Sequence, residues 1–156
     1  MDLQLRWHAP IDLYRAADLI YDMLDLTIEE LPPEPGVYVF ARSHGGKTVP
    51  LYIGRAENIQ RRIKQQFNNL KLMRGIERSP TGARKLFLGQ IVTRPNQRAT
   101  DAIKIIESAL ISTAMVEGYD LLNVSGTRTL AHSITSSGNR EARLWLPDNV
   151  IKLRRA

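Results

Sequence analysis

Two tyrosines, an arginine and a glutamate hold most of the chemistry in this sequence. Tyr38 and Tyr52 lie in the β-rich runs GVYVFAR and VPLYIG. A phenol has a pKa of about 10 and acts as a base only if that value is pulled down, which a nearby cation such as Arg55 or Arg62 would do by favouring the phenolate. The plain alternative is that each tyrosine packs half-buried in its strand. Arg61 and Arg62 open the helical stretch after YIG. A helical arginine is either a solvated charge or a ligand for something anionic. Glu107 lies within a stretch, 99–116, that is apolar nearly all round. An ionised carboxylate there is costly unless paired or bound to a cation. Three roles are therefore open to Glu107: a structural salt bridge to an arginine, a metal ligand or a catalytic acid. No second acid stands nearby in sequence to make a two-metal site.

These residues need elements to position them. LPPEPG, from Leu31 to Gly36, is a rigid entry to a new unit. The runs GVYVFAR and VPLYIG are joined by SHGGKT, whose Gly45-Gly46 pair suits a hairpin loop, so they are expected to pair antiparallel. Side-chain alternation puts Tyr38 with Phe40 on one face and Val37 with Val39 on the other, and sets Tyr52 against Leu51 and Ile53. A helix is expected from about Glu57 to Leu72, a strand over RKLFLGQIV and a long, central helix from about Arg98 to Glu117. In the first helix Ile59, Ile63, Phe67 and Leu70 form one apolar stripe. Arg61 then points away from the core, while Arg62 borders the stripe in a polar column with Asn58, Gln66 and Asn69. Before this core, LQLRWHA reads as a strand and residues 12–30 fit no single pattern. After it come strand-like pieces such as ARLWLPDNVI and the basic end KLRRA.

The 156 residues suit one domain with a real core, and 22 Lys+Arg against 16 Asp+Glu give a net charge of +6, which tilts towards an anionic partner such as nucleic acid. With no cysteine, disulfides, thiol catalysis and cysteine-based zinc sites are excluded. No apolar run approaches a membrane span and the first residues lack the pattern of a signal peptide, so a cytoplasmic protein without membrane association is expected. His8, His44 and His132 are scattered rather than spaced as metal ligands.

GVY at Gly36–Tyr38, YIG at Tyr52–Gly54, Arg62 on the next helix, Glu107 on a later one and Asn123 in LLN together resemble the GIY-YIG nuclease superfamily. The resemblance covers residues 36–125. It implies an α/β (α+β) fold, with a ββαβα core whose three-stranded antiparallel sheet is flanked by helices, and leaves 1–35 and 126–156 as extensions of a single domain. It also implies a DNA endonuclease that hydrolyses phosphodiester bonds with one divalent metal, Mg2+ or Mn2+. Tyr38 matches the tyrosine usually assigned as general base, and Tyr52 the tyrosine that orders nucleophile and phosphate. Arg55 sits where many members carry a water-placing cation. Arg62 matches the arginine on the scissile phosphate, Glu107 the sole protein ligand of the metal, and Asn123 an asparagine that braces the site. Asn58 and Arg128 are further candidates for substrate binding. Valine replaces isoleucine in the first motif and the hairpin loop is somewhat long. The extensions are the expected source of DNA recognition or of a homodimer. An inactive nucleic-acid-binding module of the same fold is the alternative, although no expected functional residue is lost.

Overall fold

A computed structural model describes residues 3–123 and the strands His132–Thr135 and Asn149–Lys152. Arg128, Arg154 and Arg155 lie outside the described residues. Among the described residues the fold is mixed α/β, built on an antiparallel sheet with three α-helices. In chain order the elements are β1 (Gln4–Trp7), β2 (Ile11–Tyr14), β3 (Asp22–Met23), β4 (Gly36–His44), β5 (Lys47–Ala56), α1 (Ile59–Phe67), α2 (Leu70–Arg78), β6 (Ala83–Val92), α3 (Ala99–Val116), β7 (His132–Thr135) and β8 (Asn149–Lys152).

The hairpin forms as its glycines require. Gly45 and Gly46 have φ of 58° and 77°, values that a residue with a Cβ seldom adopts. β4 then pairs with β5 on one side and with β6 on the other, giving the expected three antiparallel strands. One detail departs from strict alternation. Phe40 pairs with Tyr52 but Ala41 with Pro50, so Leu51 is the extra residue of a β-bulge. Its side chain consequently joins the same buried cluster as Tyr52 instead of facing the other way.

The sheet is wider than three strands. β1 and β2 both pair along the outer edge of β6, and β3 pairs with β2 beyond it, for six strands in all. Residues 12–30, which show no clear period in the sequence, supply β3, most of β2 and a 3-10 turn at Ile28–Glu30. Segments of two to four residues are too short to display a period. The N-terminal third is thus built into the core through Ile11, Tyr21, Met23 and Leu31.

α1 and α2 cover one face of the sheet, where Ile59, Ile63, Phe67, Met73 and Ile76 bury against Tyr38, Phe40, Leu86 and Leu88. The sequence spacing suggested one helix here, but there are two. Asn68 ends the first, and the side chain of Asn69 caps the second by accepting from Leu72 N at 3.2 Å. Leu70 therefore leaves the stripe and is 52% exposed. Arg84 closes the link from α2 to β6, its buried guanidinium donating to the carbonyls of Ser79, Pro80 and Gly82.

α3 lies on the opposite face, against Val39 and Ile53. Its all-round apolar character suggested a central helix. It is instead a flanking one, because a sheet face can cover only one side of it. Ala102, Ile103 and Ala114 are buried, whereas Ile105 is 49% exposed. Among the described residues no helix is long and apolar enough to cross a membrane.

Candidate functional site

The edge strand β5 is where the α1 layer and the α3 layer come within reach of each other. Its Tyr52, Gly54, Arg55 and Ala56 line a cleft of about 480 Å³ that is also lined by Tyr38, Asn58, Arg61, Arg62, Gln66 and Glu107.

Tyr38 and Gly54 are direct partners across the β4–β5 ladder. A Cβ on Gly54 would lie 2.5 Å from both Cζ and the hydroxyl of Tyr38. The glycine of YIG is therefore a matter of space: the Tyr38 ring lies over its backbone. Tyr52 stacks beside it, with ring centroids 6.1 Å apart and planes 19° from parallel. Phe40 meets both rings edge-on. The two phenols thus sit side by side, as alternation and the hairpin register require.

Between the hydroxyls lies Gln66, a buried polar residue of α1. Its Nε2 donates to Tyr38 at 2.5 Å and, more weakly, to Tyr52 at 3.5 Å. Sequence reasoning assigned Gln66 no role. The one available signal was its place in the column with Asn58, Arg62 and Asn69.

The charge state of Tyr38 runs against the condition set for a base. Burial pushes its phenol well above the usual value, and the Tyr52 hydroxyl pushes the same way; the Gln66 hydrogen bond and the Arg62 charge oppose them without winning. In the ligand-free cleft Tyr38 is a neutral phenol. The lowering expected from a nearby arginine is present in sign and too small in size.

On α1, Asn58 is the N-cap and accepts from the backbone of Arg61 at 2.8 Å. Ile59 N and Gln60 N donate to the carbonyls of Glu34 and Pro32. These bonds take up first-turn donors that a helix start would otherwise offer to an anion. Asn58 lines the cleft, but its side-chain oxygen is committed to the cap. Arg61, exposed and directed away from the core, lines the cleft together with Arg62. Lys104 lines it as well. None of these three cations forms an ion pair with a described residue. Arg62 alone of them acts on the charge of Tyr38.

Glu107 and Arg55 form an ion pair between α3 and β5. The arginine side chain is 44% exposed and the carboxylate 16%. Of the roles open to Glu107, the salt bridge is the one realised in this structure, and Arg55 is the partner that sequence separation concealed. Glu57 also lines the cleft and accepts from the Thr100 hydroxyl at 3.2 Å.

Asn123 stands outside the cleft. Its Nδ2 donates to the carbonyl of Ile53 at 2.6 Å, and Leu122 N donates to the carbonyl of Leu51. Both contacts hold the outer edge of β5 just before Gly54, so Asn123 can brace the strand.

Among the described residues no three His, Asp or Glu gather as a metal site. A hard cation such as Mg2+ is commonly held by one or two carboxylates, with waters and a phosphate completing its shell. Glu107 suits that kind of weak site, provided Arg55 yields its place. Compared with protein-family models, with curated proteins and with solved structures, the chain gives no match.

Proposed function

We propose that the chain is a metal-dependent DNA endonuclease of the GIY-YIG type. The observation that carries the reading is that one cleft collects Tyr38, Tyr52, Arg62 and Glu107 from β4, β5, α1 and α3. Residues up to 69 positions apart in the chain are brought to one place, and they are the types that phosphodiester hydrolysis needs. Arg61, Arg62 and Lys104, cations without an ion pair among the described residues, suit a polyanion.

In this reading Arg62 lies on the scissile phosphate and takes up the charge that develops there. Arg61 and Lys104 hold the flanking backbone. Glu107 is the metal ligand, and the Mg2+ or Mn2+ it would hold supplies charge neutralisation and a more acidic water. Arg55 is paired to Glu107 before substrate arrives, and a DNA phosphate is a competing partner for its guanidinium. Tyr38 and Tyr52 hold the attacking water. Tyr38 takes the proton of that water as general base only when added positive charge outweighs the burial that keeps it neutral. Gly54 and Asn123 keep β5 in the position that makes this possible.

A non-catalytic nucleic-acid-binding module is the second reading, favoured by two observations: Glu107 is already paired and Tyr38 is held protonated. Incubation of the purified protein with supercoiled, linear, branched and single-stranded DNA, with and without Mg2+ or Mn2+, separates the two. Metal-dependent cleavage is expected. Binding without cleavage under every metal would leave the second reading, and neither binding nor cleavage would remove both.

A further inference from the structure

The hydrogen-bond chain behind the two tyrosines has a direction, and that direction is imposed from outside the cleft. It begins at the N-terminus of α2. Leu72 N is a backbone amide and can only donate, so it fixes which end of the Asn69 side chain is oxygen: Oδ1 accepts from it at 3.2 Å. The other end of Asn69 is then its NH2, which donates to Gln66 Oε1 at 3.2 Å. With its oxygen so engaged, Gln66 turns its own NH2 to the phenols and donates to Tyr38 at 2.5 Å and to Tyr52 at 3.5 Å. Turning the Gln66 amide over would set two NH2 groups against each other and leave the buried Gln66 donor unmet.

Both phenol oxygens are consequently acceptors towards Gln66, and neither hydroxyl hydrogen can point at it. Tyr38 is the more deeply buried of the two. Tyr52 lines the cleft and is only partly buried. Kept off Gln66, its hydroxyl hydrogen has the open cleft to turn to.

We propose that Gln66 is a positioning residue whose amide, set by Asn69, makes Tyr52 present its hydroxyl hydrogen to the cleft as a donor to a phosphate oxygen. The direction of the chain stands on the hydrogen bonds alone, while the phosphate as its recipient rests on the endonuclease reading. Asn69, at the start of a neighbouring helix, thereby acts on the ligand through two other side chains.

The test uses the full chain and Asn69→Ser. Serine is as good an N-cap as asparagine, so α2 keeps its start, but its side chain is too short to reach Gln66 and adds no charge. In a ligand-free sample, NMR contacts from the Gln66 side-chain NH2 hydrogens to the rings of Tyr38 and Tyr52 are expected in the parent. Contacts from that NH2 to Asn69 in their place would overturn the direction of the chain. Binding of a short DNA duplex in EDTA then gives a double-mutant cycle. Asn69→Ser and Tyr52→Phe are each expected to weaken binding roughly tenfold, the effect of losing one hydrogen bond to a charged group, and the double variant no more than the worse single. Gln66→Glu, which can only accept when ionised, should weaken binding at least as much. Full additivity in the cycle with the fold intact, read by thermal melting, would overturn the positioning role. Absence of DNA binding by the parent would refute the phosphate recipient and the endonuclease reading, and would leave the NMR contacts to decide the direction of the chain.

Discussion

Replacing Gly54 by alanine probes the site through packing alone. The added Cβ would stand 2.5 Å from Tyr38 Cζ and its hydroxyl and 3.0 Å from Cε1. Carbon atoms rest at roughly 3.5–4.0 Å, so the ring has to retreat by about 1 Å. Little space exists for that. Tyr38 is fully buried, with Phe40 and Tyr52 each 6.1 Å away between centroids. Overpacking of this kind costs roughly 1–3 kcal/mol. Lengthening the 2.5 Å bond from Gln66 adds about 1 kcal/mol. Alanine restricts the unfolded chain more than glycine does, which returns roughly 0.4–1 kcal/mol. The net loss is about 1–3.5 kcal/mol, or a fall in melting temperature of roughly 2–14 °C for a domain near this size. Calorimetric or circular-dichroism melting measures it. The same substitution made in Tyr38→Phe should destabilise less, by about 1 kcal/mol, because one of the 2.5 Å contacts and the hydrogen bond are already gone. An unchanged melting temperature for Gly54→Ala, or an identical loss in both backgrounds, would refute the claim that this glycine exists to seat Tyr38.

The remaining predictions concern charge. Arg62→Ala should lower single-turnover cleavage about a hundredfold, equivalent to roughly 3 kcal/mol of transition-state stabilisation, and Arg61→Ala much less, since only Arg62 acts on Tyr38. Equal defects that fade together in salt would show a diffuse basic surface instead. Glu107→Gln should abolish metal-dependent cleavage while DNA binding persists, and the loss of a partly exposed ion pair should change stability by less than about 1 kcal/mol; full activity in this variant would sink the metal-ligand role. Arg55→Gln releases the Glu107 carboxylate and should tighten Mn2+ binding in the absence of DNA, measured by electron paramagnetic resonance, whereas unchanged affinity would mean that the pair does not compete with metal.

How much of this was legible in the chain depended on how local the deciding interactions are. The β4–β5 hairpin, β6 and α3 follow from periodicity and from Gly45-Gly46, because a strand of nine residues or more, or a helix of 18, repeats its pattern often enough to be read. The same regularity misled at the junction of α1 and α2. Ile59, Ile63, Phe67 and Leu70 continue a helical stripe on paper, but Asn68 and Asn69 satisfy the backbone ends themselves and break it. β2 and β3 were illegible because they are too short to repeat anything, and they exist only where the edge of β6 offers partners.

By itself the sequence determined which residue types stand ready for chemistry, namely Tyr38, Tyr52, Arg62 and Glu107, and which local elements hold them. That information lies in spacing along the chain and needs no partner. Tertiary structure alone decided their state. It buried Tyr38 enough for desolvation to outweigh the arginine, paired Glu107 with an arginine 52 positions away, brought Arg61 to the cleft beside Arg62, and gave Gln66 a role its residue type does not announce. Charge state and hydrogen-bond direction depend on what surrounds a group in three dimensions, and in this fold those surroundings come from strands and helices far apart in sequence.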